Sequence, residues 1–354
     1  MKALVLAGGT GTRLRPFSHS MPKQLFPVAG RPVVEHVLEN IGKAGVTEVG
    51  VIVGDWEERI RDVLGDGSRF GVRIEYIRQE KPLGLAHCVR TARDFLGDSD
   101  FVMYLGDNIL PNGIGAIAET FRAERPVAQL VTYKVADPRE FGVVELHPDG
   151  SVARLVEKPR EPRSNLALIG VYFFTCGIHA AVDAISPSAR GELEITDAVQ
   201  WLVASGAEVR ASEYSGYWQD TGGVEGVLEC NRRLLGDLTG DVAGTVDEES
   251  VLVGPVVVEA GARVVRSRVE GPVIIGAGSV VEDCRIGPYT SIGRDCVLRR
   301  SGVGDSIALD GATVTDVPGL HSSLIGRCAV VGGKPETAGH RLVIGDDARV
   351  EVAA

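Results

Sequence analysis

No stretch of this 354-residue chain approaches the run of about 20 apolar residues that a membrane-spanning helix needs. The apolar run in MKALVLAGG is too short for the hydrophobic region of a secretory signal. A basic excess is missing as well. Lys and Arg number 37 against 48 Asp and Glu, a net charge of −11, which excludes a general nucleic-acid or anionic-membrane surface. Any anionic substrate must be held by local cations. Cysteine is scarce and unpaired: Cys88, Cys176, Cys230, Cys284, Cys296 and Cys328 form no C-x-x-C and lie near no histidine at zinc spacing. They read as reduced, mostly buried thiols, and the absences together point to a cytoplasmic protein.

What is present suits a globular chain. Hydrophobic residues at 44% and charged residues at 24% allow a sizeable core, and the length accommodates two domains. From residue 1 to 238, short apolar runs alternate with amphipathic helical stretches, the mark of an α/β domain with a mainly parallel sheet. Strands are expected at Ala3–Leu6, Val49–Val53, Ile74–Ile77, Phe101–Leu105 and Leu130–Tyr133. Helical faces run through Val34, Val37, Leu38 and Ile41, through Leu85, Val89, Ala92 and Leu96, and through Ile195, Ala198, Val199 and Leu202.

From 239 to 354 the helical period stops and a branched residue followed by glycine recurs, as at Val253-Gly254, Ile275-Gly276, Ile286-Gly287, Ile292-Gly293, Ile325-Gly326 and Ile344-Gly345. Apolar positions six apart, such as Ile286, Ile292 and Leu298, are the hexapeptide period of a parallel β-helix. The register slips by a residue between Val281 and Ile286, so an irregular coil is expected there.

Two standard phosphate loops are absent from the opening LVLAGGTGTRLRP, Leu4 to Pro16. The dinucleotide fingerprint would need a glycine where Leu14 stands. The P-loop would need Gly-Lys-Ser/Thr, but the next lysine is Lys23, followed by Gln24. A strand running into glycines still suits close approach to phosphate. These residues fit a phosphate loop of another kind, with Arg13 and Arg15 inside it, and equally a glycine turn with solvated arginines.

Downstream, FVMYLGDN ends an apolar strand on Asp107, where the carboxyl ends of parallel strands gather ligands. Asp220 sits in GYWQDTGG. Two carboxylates with substrate phosphates are a usual way to hold Mg²⁺, while a lone Asp more often caps a loop. In RLVEKP, Glu157 and Lys158 would point to opposite faces of a regular strand, one to a sugar hydroxyl and one to a phosphate; a plain strand end reads the same. Gln79 in RQEKPLGLAH offers a donor and an acceptor, as a pyrimidine's N3–H and O4 require, although an amide can flip to suit adenine.

In joint order, LAGGTGTRLRP, PKQLFPV, QEKPLGLAH, YLGDN, FGVVEL, VEKP, RGELEITDA and WQDTG resemble the sugar-1-phosphate nucleotidylyltransferases, densely over the N-terminal two-thirds. The resemblance is strongest to the long-form branch that moves a thymidylyl group from dTTP to glucose 1-phosphate. It implies a Rossmann-like nucleotidyltransferase domain followed by a left-handed parallel β-helix. Carried over, Gly8, Gly9 and Gly11 would cradle the triphosphate, Arg13 would assist the leaving pyrophosphate, and Lys23 would contact the phosphates of both substrates. Gln24 would join the nucleotide contacts, with Gln79 and Gly84 reading the base. Asp107 and Asp220 would hold Mg²⁺, Gly142 and Glu157 the sugar, and Lys158 its phosphate. The partners implied are dTTP, glucose 1-phosphate and further copies of the chain, without nucleic acid or membrane.

A sugar phosphate, with a second pKa near ~6, is already a nucleophile at neutral pH, so no general base is needed. This accords with motifs that hold cations and carboxylates but no Ser-His or Cys-His pair. Rival readings are uridylyl transfer to glucose 1-phosphate and guanylyl transfer to mannose 1-phosphate. A non-catalytic regulatory subunit is a third, although Asp107, Asp220, Lys23 and Lys158 are all present. A β-helix acyltransferase using His321 or His340 is a fourth.

Overall fold

The computed structural model describes residues 1–9 and 11–332; His340 and the Ile344-Gly345 step lie outside the described residues. The chain forms two compact units: residues 1–9 with Val33–Asp220, and Gly11–Pro32 with the residues from 221 onward.

The first unit is built on a nine-stranded sheet. The strands Arg73–Arg78, Glu48–Val53, Lys2–Leu6 and Phe101–Leu105 lie side by side and parallel. All four contain the expected strand segments. Beyond them Leu166–Phe174 runs antiparallel to Phe101–Leu105, and Ala128–Lys134, Gly142–Leu146, Val152–Glu157 and Val209–Glu213 complete the sheet. Lys2–Leu6, Glu48–Val53 and Phe101–Leu105 are largely apolar on both faces, as strands covered on both sides must be, whereas the edge strand Arg73–Arg78 alternates charged and apolar residues. Leu4, Leu6, Phe101 and Met103 pack in one core with Ala86, Val89, Leu96, Ala198 and Leu202 from the helical segments. On the alternate face, the buried Tyr104 hydroxyl meets Asn40 Nδ2 at 3.4 Å, from helix Val33–Lys43. The helical face through Ala92 is two short helices, Leu85–Thr91 and Arg93–Leu96, joined at that residue.

The second unit contains a left-handed parallel β-helix of three sheets with six, six and five strands. Val256 pairs with Val273 and Val273 with Thr290, each seventeen residues on, whereas Ser291 pairs with Ile307, sixteen on. The slip expected locally therefore recurs through most of the coil, where each turn is one or two residues short of three hexapeptides; only the pairing of Thr245 with Arg263 keeps the full eighteen among the described residues. Val264, Val281, Leu298 and Val314 stack inside one sheet, fully buried, each removing about 1.5–3 kcal/mol of apolar surface from water. The glycine after isoleucine has a steric reason: a Cβ on Gly276 would stand 2.4 Å from the Gly293 carbonyl oxygen of the next coil. At another corner Arg266, Asp283, Arg300 and Asp316 take left-handed φ values of 45–57°. They stack as alternating charges, with Arg266 bidentate on Asp283 and Arg300 bidentate on Asp316.

Helix Val224–Gly236 lies against this coil: Asn231 Nδ2 donates to the Tyr289 carbonyl at 2.9 Å and Ser291 Oγ donates to Asn231 Oδ1 at 2.7 Å. Asn231 Oδ1 also accepts from the Ala29 amide at 2.9 Å, tying the segment Gly11–Pro32 into the same body. Four of the cysteines are buried, Cys176 is half-buried and Cys328 is exposed, and all six are free thiols. Among the described residues no helix is long and apolar enough to cross a membrane.

Candidate active site

In the first unit the loop after Lys2–Leu6 presents Gly8 and Gly9 at the carboxyl end of the sheet. Gln79 follows Arg73–Arg78, which lies beyond Glu48–Val53 from that strand, and its backbone N–H donates to the Val53 carbonyl at 2.8 Å. Its side chain is buried with Oε1 toward Gly8, 3.4 Å from where a Cβ would stand there. Nε2 lies 2.8 Å from His87 Nδ1. Gly84 opens the helix that carries His87, and this loop is pinned by two backbone bonds: Leu193 N–H to the Leu83 carbonyl, 2.8 Å, and Ala86 N–H to the Leu193 carbonyl, 3.0 Å.

Gly142 and Glu157 are register partners in an antiparallel pair, which brings two of the sugar candidates together. Glu157 Oε2 accepts from Thr196 Oγ1 at 2.6 Å and Oε1 from Arg190 Nη2 at 3.2 Å. Arg190 is itself held by the buried Glu194 at 2.8 Å. A methyl on Gly142 would stand 2.8 Å from Thr196 Oγ1 and 3.2 Å from Glu157 Oε2, so the missing side chain leaves room beside the carboxylate. Burial pushes the Glu157 carboxyl above the usual glutamate range, and nearby Glu194 adds to this. The Thr196 hydrogen bond and the Arg190 and Lys158 charges oppose the rise. The regular strand that the expectation of opposite faces presumes stops short of Lys158. The strand ends at Glu157, and Lys158 turns to a left-handed φ of 43° while its N–H donates to the Phe141 carbonyl.

The two metal candidates also come together. Asn108–Ile109 and Gln219–Asp220 form a small antiparallel ribbon in which Asp220 pairs with Asn108, the residue after Asp107. Asp107 is buried, and its Oδ1 accepts from Asn108 Nδ2 at 3.1 Å. Asn108 Oδ1 in turn accepts from Trp218 Nε1 at 2.7 Å, which fixes the direction of the Asn108 amide. Among the described residues no group of three or more metal-ligating side chains occurs. A pair of carboxylates suits an octahedral cation that keeps waters and substrate oxygens in its other positions.

The second unit carries the remaining candidates. Arg13 lies in a short 3-10 turn, Thr12–Leu14, and is exposed. A Cβ on Gly11 would meet Lys23 Cβ at 3.4 Å, so the lysine stem packs directly on the loop. Gln24 is 2% exposed, and its Oε1 has no hydrogen-bond partner among the described residues. An orphaned buried acceptor of this kind costs stability unless a ligand satisfies it. His321, the acyltransferase candidate that lies within the described residues, is exposed on the coil, with Nδ1 at 3.0 Å from Ser322 Oγ.

Several residues with a part in this geometry carried no assigned role in the sequence reading: His87, Asn108, Arg190, Thr196 and Trp218. Each lies within a motif quoted above, so proximity was the available signal. Side-chain direction was not.

The chain matches the family model of nucleotidyl transferases over residues 2–236 and belongs to that family. Among its relatives, it is 53% identical over 355 residues to the glucose-1-phosphate thymidylyltransferase of Streptomyces griseus, covering 100% of both chains. It is 52% identical over 354 residues to that of Streptomyces antibioticus, covering 99% of each. A crystal structure of a Bacillus anthracis protein assigned as a glucose-1-phosphate thymidylyltransferase, with sucrose bound, superposes with a TM-score of 0.63 at 33% identity. The match spans 68% of this chain and 97% of that one.

Proposed function

We propose that this protein transfers a thymidylyl group from dTTP to glucose 1-phosphate, releasing pyrophosphate and forming dTDP-glucose. The observation that carries the reading is the full-length similarity to two glucose-1-phosphate thymidylyltransferases. The pairing of Asp220 with Asn108, next to Asp107, and of Gly142 with Glu157, supports it.

In this reading a phosphate oxygen of glucose 1-phosphate attacks the α-phosphorus of dTTP in line. A new P–O bond forms, the bond to the β-phosphate oxygen breaks, and pyrophosphate leaves with that electron pair; no proton need move. Gly8, Gly9 and Gly11 offer backbone to the triphosphate, and Gln24 supplies a further nucleotide contact. Arg13 and Lys23 balance charge on the phosphates, and Lys158 holds the attacking phosphate while Glu157 accepts from the sugar. Lys158 is exposed at the end of its strand, so its ammonium is accessible to an incoming anion. Asp107 and Asp220 fit Mg²⁺, which when bound neutralises charge developing on the phosphoryl oxygens. The chain's own task is positioning and electrostatic stabilisation. Its substrates are soluble, and we assign it to the cytoplasm.

The test is pyrophosphate release from Mg²⁺, glucose 1-phosphate and each nucleoside triphosphate in turn. Fastest release with dTTP supports the proposal; preference for UTP, or for GTP with mannose 1-phosphate, replaces it with the corresponding transferase. In the same assay, Asp107→Asn and Asp220→Asn should each lower turnover at least ~100-fold. Undiminished turnover in both at low Mg²⁺ would remove them as ligands.

A further inference from the structure

Gln79 and His87 form a pair whose chemistry is more specific than either residue alone. The amide nitrogen Nε2 can only donate, so its 2.8 Å contact with His87 Nδ1 requires that nitrogen to accept. His87 must then be neutral, with its proton on Nε2. Burial lowers its proton affinity and the Arg90 charge lowers it further, which favours that state. The Cys88 thiol also contacts the Gln79 amide. A thiol donates and accepts weakly, so it tolerates either amide orientation, and the imidazole in its Nε2–H tautomer is the group that discriminates between them.

We propose that His87 is a specificity-determining positioning residue: it locks the Gln79 amide in the one orientation that pairs with a base presenting N3–H beside a C4 carbonyl. The inference rests on the reading that Gln79 meets the base. A free glutamine amide can rotate by 180°, exchanging its donor and acceptor. In one orientation the carbonyl receives N3–H and the NH₂ group donates to O4, which suits thymine and uracil. Reversed, the NH₂ group faces N3 and the carbonyl receives the 4-amino group, which suits cytosine. With His87 in the Nε2–H tautomer the reversed orientation would set the carbonyl oxygen against a nitrogen lone pair, so the amide can turn only if the imidazole also moves its proton to Nδ1. Cytosine is thereby rejected by a contact that does not touch the nucleotide.

The experiment measures kcat/KM for dTTP and for dCTP, with glucose 1-phosphate saturating, in the wild type, Gln79→Ala, His87→Phe and His87→Asp. Wild type that strongly prefers dTTP, with the preference collapsing in Gln79→Ala, establishes the parent reading. A wild type without that preference, or a Gln79→Ala that keeps it, overturns the parent reading and this inference with it.

With the parent reading in place, His87→Phe keeps a flat ring and loses the acceptor, and its dTTP-to-dCTP preference should fall about 10-fold or more, the scale of one bidentate base contact. His87→Asp supplies an acceptor and no donor and should retain the preference, even if its charge weakens both nucleotides alike. A merely structural role would move both substrates together and leave the ratio unchanged. An unchanged ratio in His87→Phe overturns the proposal. If that variant does not fold, His87→Ala carries the same comparison.

Discussion

Gly84 and Leu193 meet backbone to backbone. A methyl on Gly84 would stand 2.5 Å from the Leu193 carbonyl oxygen and 2.7 Å from its nitrogen, and Gly84 holds a φ of +104° that an L side chain rarely adopts. Leu193 adjoins Glu194, which grips Arg190 and through it Glu157. The loop assigned to the base and the carboxylate assigned to the sugar are therefore braced against one another. Gly84→Ala must push them apart, and a displacement near 1 Å can cost about 100-fold in rate. The expected result is a fall of that order in kcat/KM for both dTTP and glucose 1-phosphate. A loss confined to the nucleotide would show that the brace transmits nothing to the sugar side.

In its proposed role at the sugar, Glu157 would make the affinity for sugar depend on pH. Burial is the main cause that raises its proton affinity, so as pH falls the carboxylate is lost above the ordinary glutamate pKa of about 4.3. A protonated carboxyl loses an acceptor for the sugar hydroxyl. The KM for glucose 1-phosphate should rise on the acid side earlier than an unperturbed glutamate would allow. Glu157→Gln should show a raised KM already at neutral pH, about 10-fold for loss of a charged hydrogen bond, and no further rise assignable to this group. An identical acid limb in the variant would assign the titration elsewhere, for instance to the substrate phosphate.

Trp218 reaches the metal candidates without contributing a ligand. Its indole N–H orients Asn108, whose NH₂ group then donates to Asp107 Oδ1. Trp218→Phe preserves the ring packed near Tyr133 and Phe141 but frees the Asn108 amide to turn its oxygen toward the carboxylate. The Mg²⁺ concentration giving half-maximal rate should increase about 10-fold, as for other losses that disorient a ligand, with the KM for glucose 1-phosphate little changed. An unaltered Mg²⁺ requirement would limit Trp218 to packing.

Much of this was legible from one dimension, and the reasons differ by element. The parallel strands at Ala3–Leu6 and Phe101–Leu105 declare themselves because both faces are buried, so they are apolar throughout. Asp107 is legible because it follows such a strand. Its approach to Asp220 is not, because the two stand 113 positions apart and the pairing is made by a two-residue ribbon too short to leave a period. Alternation says nothing of Lys158, because it presumes extended backbone and this residue is left-handed. The coil was recognisable from its isoleucine-glycine steps, but its true period, sixteen to eighteen residues and mostly seventeen, emerges only from the pairing. Helix Val224–Gly236 reads as the end of the first domain by composition, although Asn231 bonds it to the coil. Local periodicity reports that a helix exists and says nothing of what it packs against.

That helix supplies a last test, in stability. Arg232 holds the buried Asp305 of the coil through two bonds of 2.5 and 2.6 Å, and Ser322 Oγ donates to the same carboxylate at 2.6 Å. Burial alone would raise the Asp305 pKa, but the hydrogen bonds from Arg232 and Ser322 outweigh it and the net shift is downward. A carboxylate with a depressed folded pKa stabilises the native state above its unfolded pKa, about 3.9 for aspartate, and loses that contribution as pH falls toward the folded value. Asp305→Asn should therefore destabilise the protein by about 2 kcal/mol at neutral pH, an amount tempered by the partial exposure of Arg232. The gap between wild-type and variant urea midpoints should stay constant down to about pH 4 and close below it. Equal midpoints at neutral pH would mean that desolvating Asp305 cancels everything its partners return. A gap that persists unchanged in acid would trace the loss to altered packing, because packing does not titrate.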